Sequence, residues 1–332
     1  MGSGTRICGW GQALPKEKVA SGDLEKQHGL PTGSLKAATG VEARYRATRS
    51  GDETQVALGL RAGQAALTSA NIPAATVDLI VAAAAVPQQL IPGTAALYQR
   101  GLDLPDGSCR TIDVNTTCLS ALSALELADS FIRAGRASRV LIISSEIASS
   151  ALPWKTAPEV AALFGDGAGA WLVEGTDQQG FLGFSFASFP SAYEACQIPV
   201  GGTANTPHED LDFFVEHAFF EMDGEALFRL VRSEFESFLV AFLEQINWSL
   251  DDIDFFIPHQ ASPLSLMHMA RAFRVRRERY IDITRSHGNQ VAASLPIAFA
   301  EARARHQIRD GSRVLMLGTS AGVQFGVAAL IA

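Results

Sequence analysis

Cys118 stands in Asp113-Val-Asn-Thr-Thr-Cys-Leu-Ser-Ala-Leu-Ser-Ala-Leu125. The pattern predicts a strand, a tight polar turn, and an alanine- and leucine-rich helix that starts at about the cysteine. A thiol at a helix N-terminus feels the positive end of the macrodipole, which favours the nucleophilic thiolate. The competing reading is a buried packing cysteine. Cys8, Cys109 and Cys196 have no such setting and read as packing or surface thiols. No cysteine pair has metal-ligand spacing, and nothing suggests a disulfide framework.

Two other polar residues stand where strands should end. The apolar run Phe255-Phe-Ile257 stops at Pro258-His259-Gln260, and Asn289 lies in Ser286-His-Gly-Asn-Gln290. His259 could instead be a cap or core histidine, and Asn289 a plain turn residue. His287 reads as structural, orienting the Gly-Asn turn. His28, His208, His217, His268 and His306 lie in polar or helical settings that suit solvated side chains. His259 and His287 lack a third ligand at plausible spacing, so no metal site is expected. Glu146, in Ser144-Ser-Glu-Ile147, reads as a structural strand-end carboxylate.

These residues fall into place once the chain is seen as a duplication. Val77-Asp-Leu-Ile-Val81 corresponds to Ile253-Asp-Phe-Phe-Ile257, Thr111-Ile-Asp-Val114 to Tyr280-Ile-Asp-Ile283, and Ser138-Arg-Val-Leu-Ile-Ile143 to Ser312-Arg-Val-Leu-Met-Leu317. The order is the same and the spacing similar. Two related α/β halves are therefore expected, residues 1–175 and 176–332, joined near Glu174–Gly183. Counted from the Ile-Asp pairs, His287 takes the place of Cys118. The counterpart of His259, around Ala83, is apolar. One half supplies a nucleophile and the other His259 and Asn289, at strand ends where α/β sheets bind ligands. The glycine-rich segments Gly165–Gly169 and Gly318–Gly322 read as close-packing sites. The first lacks the Lys-Ser/Thr of a phosphate-binding loop.

The bulk numbers agree with a large α/β body. The chain has 332 residues, 47% hydrophobic and 19% charged, with a formal net charge of −8. A nucleic-acid role is not expected, because phosphate binding needs a concentrated basic footprint. The cluster Arg271, Arg274, Arg276, Arg277 and Arg279 is the local exception. It reads as a solvated helix end, with a contact for an acidic carrier protein as the alternative. Met1–Pro15 has no apolar signal core, and Arg6 occupies the position where myristoylation at Gly2 would want Ser or Thr. No run is long enough to span a bilayer. A reduced, cytoplasmic, non-membrane protein is expected.

At these residues the sequence resembles the β-ketoacyl-acyl-carrier-protein synthase III family of the thiolase superfamily. The resemblance covers nearly the whole chain. It rests on Asn115-Thr-Thr-Cys118 opening the alanine-rich helix, Phe164-Gly-Asp-Gly-Ala-Gly-Ala170, Pro258-His-Gln-Ala261, His287-Gly-Asn289 and the closing glycine-rich strand. It implies a five-layered αβαβα thiolase fold, an obligate homodimer, and a catalytic triad of Cys118, His259 and Asn289. It also implies an oxyanion hole from the backbone N–H groups of Cys118 and Ala321, and decarboxylative condensation of an acyl thioester with a malonyl thioester. The substrates would be CoA or acyl-carrier-protein thioesters, with no metal or redox cofactor. Family members stack an aromatic residue and an arginine on the CoA adenine, but the matching positions here are Ser34 and Pro158. Ala38 replaces a phosphate-binding arginine. Ile91 matches a partner-subunit phenylalanine that closes the acyl pocket in some relatives, so groups longer than acetyl are expected to fit. Acyl transfer to an alcohol or amine, condensation without decarboxylation, and a non-catalytic partner subunit are the alternatives. The retained Asn289, the Thr117 beside Cys118, and the complete set Cys118, His259 and Asn289 argue against each in turn.

Overall fold

The computed structural model describes residues 4–332 and contains two large sheets with helices between and outside them, besides two small two-stranded sheets. Gly2 lies outside the described residues. The first sheet has 5 strands in the order Gly4–Ala13, Gly167–Thr176, Arg139–Glu146, Leu79–Ala83, Arg110–Val114. The second has 4 strands, in the order Phe255–Pro258, Arg313–Ser320, Gln324–Ile331, Phe181–Ser188. The chain passes from one to the other between Thr176 and Phe181.

Strand periodicity builds the layers. Side chains alternate across a strand, so one strand feeds two cores. Val140 and Ile142 point into a central core, and Leu141 and Ile143 into an outer one. In the second sheet Val314 and Met316 face the centre, and Leu315 and Leu317 face outward. The central core is completed by helices Ser120–Arg133 and Ser294–Ala304, with Leu122, Leu125, Leu295 and Phe299 fully buried between the sheets. Helix Gln55–Ala70 covers the first sheet through Leu58, Ala62 and Ala66. Helix Gly224–Gln245 covers the second through Phe235, Leu239 and Phe242. Helix, sheet, helices, sheet, helix make the five layers of the thiolase fold. Strands buried on both faces also explain their unbroken apolar runs.

The duplication extends to hydrogen-bond register. Leu79 pairs in parallel with Val140, and Phe255 with Val314. Asp78 accepts from the N–H of Arg139 at 3.0 Å, and Asp254 from that of Arg313 at 2.8 Å. One predicted strand is not formed. Tyr280–Ile283 makes a single bridge, Phe256 to Tyr280, where its counterpart Arg110–Val114 makes a full ladder. Its chain turns at once into the short helix Thr284–His287.

Candidate active site

The strand Arg110–Val114 ends at Asn115, whose Oδ1 accepts from the Thr117 N–H at 2.9 Å. Thr117 is left-handed, with φ 49°, and opens the helical turn Thr117–Leu119 that leads into helix Ser120–Arg133. Left-handed backbone is costly for a β-branched residue. Here it is held by the Asn115 bond, by Thr116 N–H to Ser120 Oγ at 3.0 Å, and by Thr117 Oγ1 to the Ala321 carbonyl at 3.1 Å. Cys118 is thereby fixed at the helix start, as its sequence setting predicts. Its own backbone N–H and that of Ala321 both act on the thiol.

The same turn exists in the second half. Asn289 Oδ1 accepts from the Val291 N–H at 2.8 Å, Val291 has φ 50°, and the Gln290 N–H donates to Ser294 Oγ at 3.1 Å. Asn289 is therefore the counterpart of Asn115, and Ala292 that of Cys118. This corrects the expectation that His287 takes the cysteine's place. The helix Thr284–His287 and Gly288 are inserted between strand end and turn, which shifts a count made along the sequence. His287 instead packs its ring on Tyr45, at 5.1 Å between centroids, and shares a 2.8 Å hydrogen bond with Ser286.

The turn bearing Cys118 packs against the turn Val291–Ala293 and against the strand Arg313–Ser320. His259 lies beside that strand, its N–H donating to the Leu317 carbonyl at 2.7 Å. Gly318 is what lets it approach: a Cβ there would stand 2.5 Å from the His259 Cβ and 3.4 Å from Leu119 Cδ2. The segments bearing Cys118, His259 and Asn289 thus meet at one junction between the halves. Asn289 spends its Oδ1 on Val291, while its amide nitrogen donates to no protein group among the described residues. Asn115 differs, since its amide nitrogen donates to the Ala85 carbonyl at 2.8 Å.

Burial governs the electrostatics. It pushes the His259 imidazole down to about 4, so the ring is neutral near pH 7. The His259 Nδ1 has no partner among the described residues. Burial likewise pushes the Cys118 thiol up to about 12, against the pull of its own N–H and that of Ala321. The thiolate bias expected from the helix terminus is therefore outweighed in the free protein. Cys196 and Glu146 add to the rise, so both lie close enough to act on the thiol. Composition and spacing gave no sign of Cys196, which reads as a packing residue. Its place follows from a hairpin, Cys196–Gln197 with Glu221–Met222. Phe220 and Met222 carry that hairpin onto Leu152, Phe164 and Val291, beside the Asn289 turn.

Most of the predicted close-packing glycines behave as such: a Cβ on Gly167 would meet Gln290, and one on Gly169 the helix at Pro296. Gly322 does not; it has open space around it and is glycine for its backbone, φ 109°. Among the described residues no group of His, Cys, Asp or Glu could hold a metal ion, and no helix is long and apolar enough to cross a membrane.

Two family models match the chain, "3-oxoacyl-[acyl-carrier-protein] synthase III" over residues 112–190 and its C-terminal counterpart over residues 243–331. A β-ketoacyl-[acyl-carrier-protein] synthase III from Clostridium perfringens is 31% identical over 324 residues, covering 97% of this chain and 98% of that protein. The chain belongs to the β-ketoacyl-acyl-carrier-protein synthase III family. The crystal structure of the 3-oxoacyl-[acyl-carrier-protein] synthase III from Aquifex aeolicus superposes with TM-score 0.88 at 30% identity, covering 99% of this chain and 100% of that one. A variant of Xanthomonas campestris OleA gives TM-score 0.85 at 20% identity, covering 99% and 98%, and shares the fold. The chain is thus a condensing enzyme of the transferase class.

Within this synthase III chain, the departures fall together. Ser34 opens the helix Ser34–Thr39 and Pro158 opens Pro158–Ala161, and the two helices pack on each other. Their shared surface offers a hydroxyl and a pyrrolidine ring, with Ala38 exposed nearby. The aromatic at this rim is Trp154, already stacked on His28 at 4.2 Å. Ile91 is 86% exposed at the tip of the loop after strand Leu79–Ala83. Of the arginine cluster, Arg271, Arg274, Arg276 and Arg277 are exposed, whereas Arg279 donates to the Leu250 carbonyl at 2.6 Å and to that of Ile253.

Proposed function

We propose that this chain acylates Cys118 from a thioester and then condenses that acyl group with a malonyl thioester. The observation that carries the reading is the packing of the Cys118 turn on Ala321, where Thr117 Oγ1 donates to the Ala321 carbonyl at 3.1 Å and the N–H groups of Cys118 and Ala321 both act on the thiol. Converging donors suit the oxyanion of a tetrahedral acyl intermediate. In the first step Cys118 Sγ bonds to the acyl carbon and the bond from that carbon to the carrier sulfur breaks. The thiol proton passes through the neutral His259 to the departing thiolate. In the second, the malonyl carbon–carboxylate bond breaks and its electron pair becomes an enolate. His259 and the unspent amide of Asn289 donate to the enolate oxygen. The enolate carbon attacks the acyl–Cys118 carbonyl, and the Cys118 sulfur leaves as a thiolate that regains a proton from solvent, the malonyl carboxylate having departed as carbon dioxide. The electron pairs moved come from the Cys118 sulfur and from the malonyl carbon–carboxylate bond, with no external oxidant or reductant, so the cycle calls for no metal or redox cofactor.

The setting we propose is fatty-acid or polyketide-type biosynthesis in the cytoplasm, where Cys118, free in this structure, stays reduced. The acyl donor arrives on CoA or on an acyl carrier protein. The missing adenine platform at Ser34 and Pro158 favours the carrier protein. Condensation without decarboxylation would need a base beside the cysteine. The neighbour in sequence is Thr117, whose hydroxyl is spent on the Ala321 carbonyl, and the carboxyl that acts on the thiol, Glu146, is taken up by the N–H groups of Ala85, Val86 and Ala292. The active form we propose is a homodimer that brings Ile91 of one protomer to the other's acyl pocket. The test is intact-protein mass spectrometry with a panel of acyl thioesters, followed by labelled carbon dioxide release from malonyl thioester. An adduct on Cys118, absent in Cys118→Ala, with release dependent on acylation, is expected. Acylation with no release from any malonyl thioester would reject the condensation.

A further inference from the structure

The pseudo-twofold that exchanges Cys118 with Ala292 also exchanges strand Arg139–Glu146 with strand Arg313–Ser320. It therefore brings Glu146 to Ser320 and Ile147 to Ala321. In the first half's turn, Thr117 Oγ1 reaches the Ala321 carbonyl at 3.1 Å, and the Cys118 N–H acts on its own thiol. In the second half's turn, the Ala292 N–H faces Glu146. The Glu146 carboxyl is buried, and its Oε1 accepts from the Ala85 N–H at 2.6 Å. The N–H groups of Val86 and Ala292 act on the same carboxyl, each favouring its charge. The duplicated fold thus repeats the turn donor. At Cys118 it is open at the nucleophile; at Ala292 it is filled from within by the Glu146 carboxyl, which Ala85 and Val86 also hold, with the strand Arg139–Glu146 packed on the turn Val291–Ala293.

We propose that Glu146 is a positioning residue: its carboxyl fills the twin of the oxyanion site and so fixes the turn that aims Asn289. The link is short. Ala292 follows Val291, whose N–H holds Asn289 Oδ1, and Val291 keeps left-handed backbone that needs outside support. The Glu146 Oε1 also ties down Ala85, whose carbonyl takes the Asn115 amide that supports the Cys118 turn, and a glutamine keeps that bond through its own carbonyl oxygen. Without the clamp at Ala292, the Asn289 amide loses its aim, whereas Cys118 and Ala321 keep theirs through Thr117.

The inference rests on the condensation reading, so both half-reactions must be measured. Glu146→Gln keeps the shape but replaces one accepting oxygen by an amide that cannot accept from an N–H. Acylation of Cys118, timed by intact mass, is expected to stay within about threefold of the parent, while carbon dioxide release falls by about tenfold or more. Glu146→Asp should recover part of the release. Equal losses in both half-reactions, or none, would overturn the proposal. If Glu146→Gln is recovered unfolded, Glu146→Asp is judged by the same ratio. Asn289→Ala runs alongside. If it releases carbon dioxide like the parent, the condensation reading itself fails. If it stops release and the Glu146 variants do not, only the positioning role fails.

Discussion

Neutral imidazole at His259 and His287 makes acid a specific threat to this protein. Burial holds both rings down to about 4, against an unfolded value of 6.5. A depressed histidine contributes stability that is fully present above the unfolded value and is lost as pH falls toward the folded one. At about 1.4 kcal/mol per unit, each ring forfeits on the order of 3 kcal/mol by pH 4. Glu146 works in the opposite sense, because burial raises it to about 8 and its contribution grows as pH falls toward 4.5. The clean measurement is therefore a difference. His287→Phe keeps a ring against Tyr45 and removes the titration. Melting temperature followed from pH 7 to pH 4 should fall less steeply in this variant than in the parent. Parallel curves would show that His287 does not titrate below its ordinary value. The same chemistry suits catalysis: a neutral His259 can accept a proton at one nitrogen and donate from the other.

Elements set the distances between these residues, and the tightest of them is a missing side chain. Gly318 sits where a Cβ would press on the Cβ of His259, which no rotamer change relieves. The His259 backbone cannot yield freely, since its N–H is bound to Leu317. Gly318→Ala should therefore displace the imidazole. Condensation is expected to fall by about 10²-fold, while stability falls by about 1–3 kcal/mol. Unchanged turnover with a lowered melting temperature would place the strain elsewhere. Much of this was legible in the sequence: the repeated Asp at 78 and 254 marks the same capping bond in each half, and apolar runs mark strands buried on both faces. The counterpart of Cys118 was not legible. Five-layer topology fixes the strands, but it tolerates an inserted helical turn at a strand end, and Thr284–His287 is such an insertion. Cys196 was hidden for another reason. It reaches the nucleophile only through the hairpin with Glu221–Met222, a long-range pairing that local pattern does not encode.

At the scale of the whole molecule, the first sheet ends in an exposed edge. Strand Arg110–Val114 pairs on one side only, with Leu79–Ala83. The Arg110 N–H donates inward to Asp78, so by alternation the Thr111 N–H points to the open edge. Open edges invite a second strand. Beside this one, Val86, Leu90 and Ile91 are 55%, 78% and 86% exposed, more apolar surface than an isolated loop tip needs. A second copy of the chain would cover both features and carry Ile91 toward its neighbour's site. Light scattering should give the parent twice the 35.4 kDa chain mass. Thr111→Pro removes an edge donor without touching the inner ladder, and should shift the protein toward the single-chain mass with its circular dichroism unchanged. Ile91→Asp attacks the same contact from the loop. If the dimer is needed for turnover, both variants should lose condensation in step with dissociation, and raising protein concentration should restore it. A parent that runs at the single-chain mass at micromolar concentration while condensing at full rate would rule the dimer out as the working form.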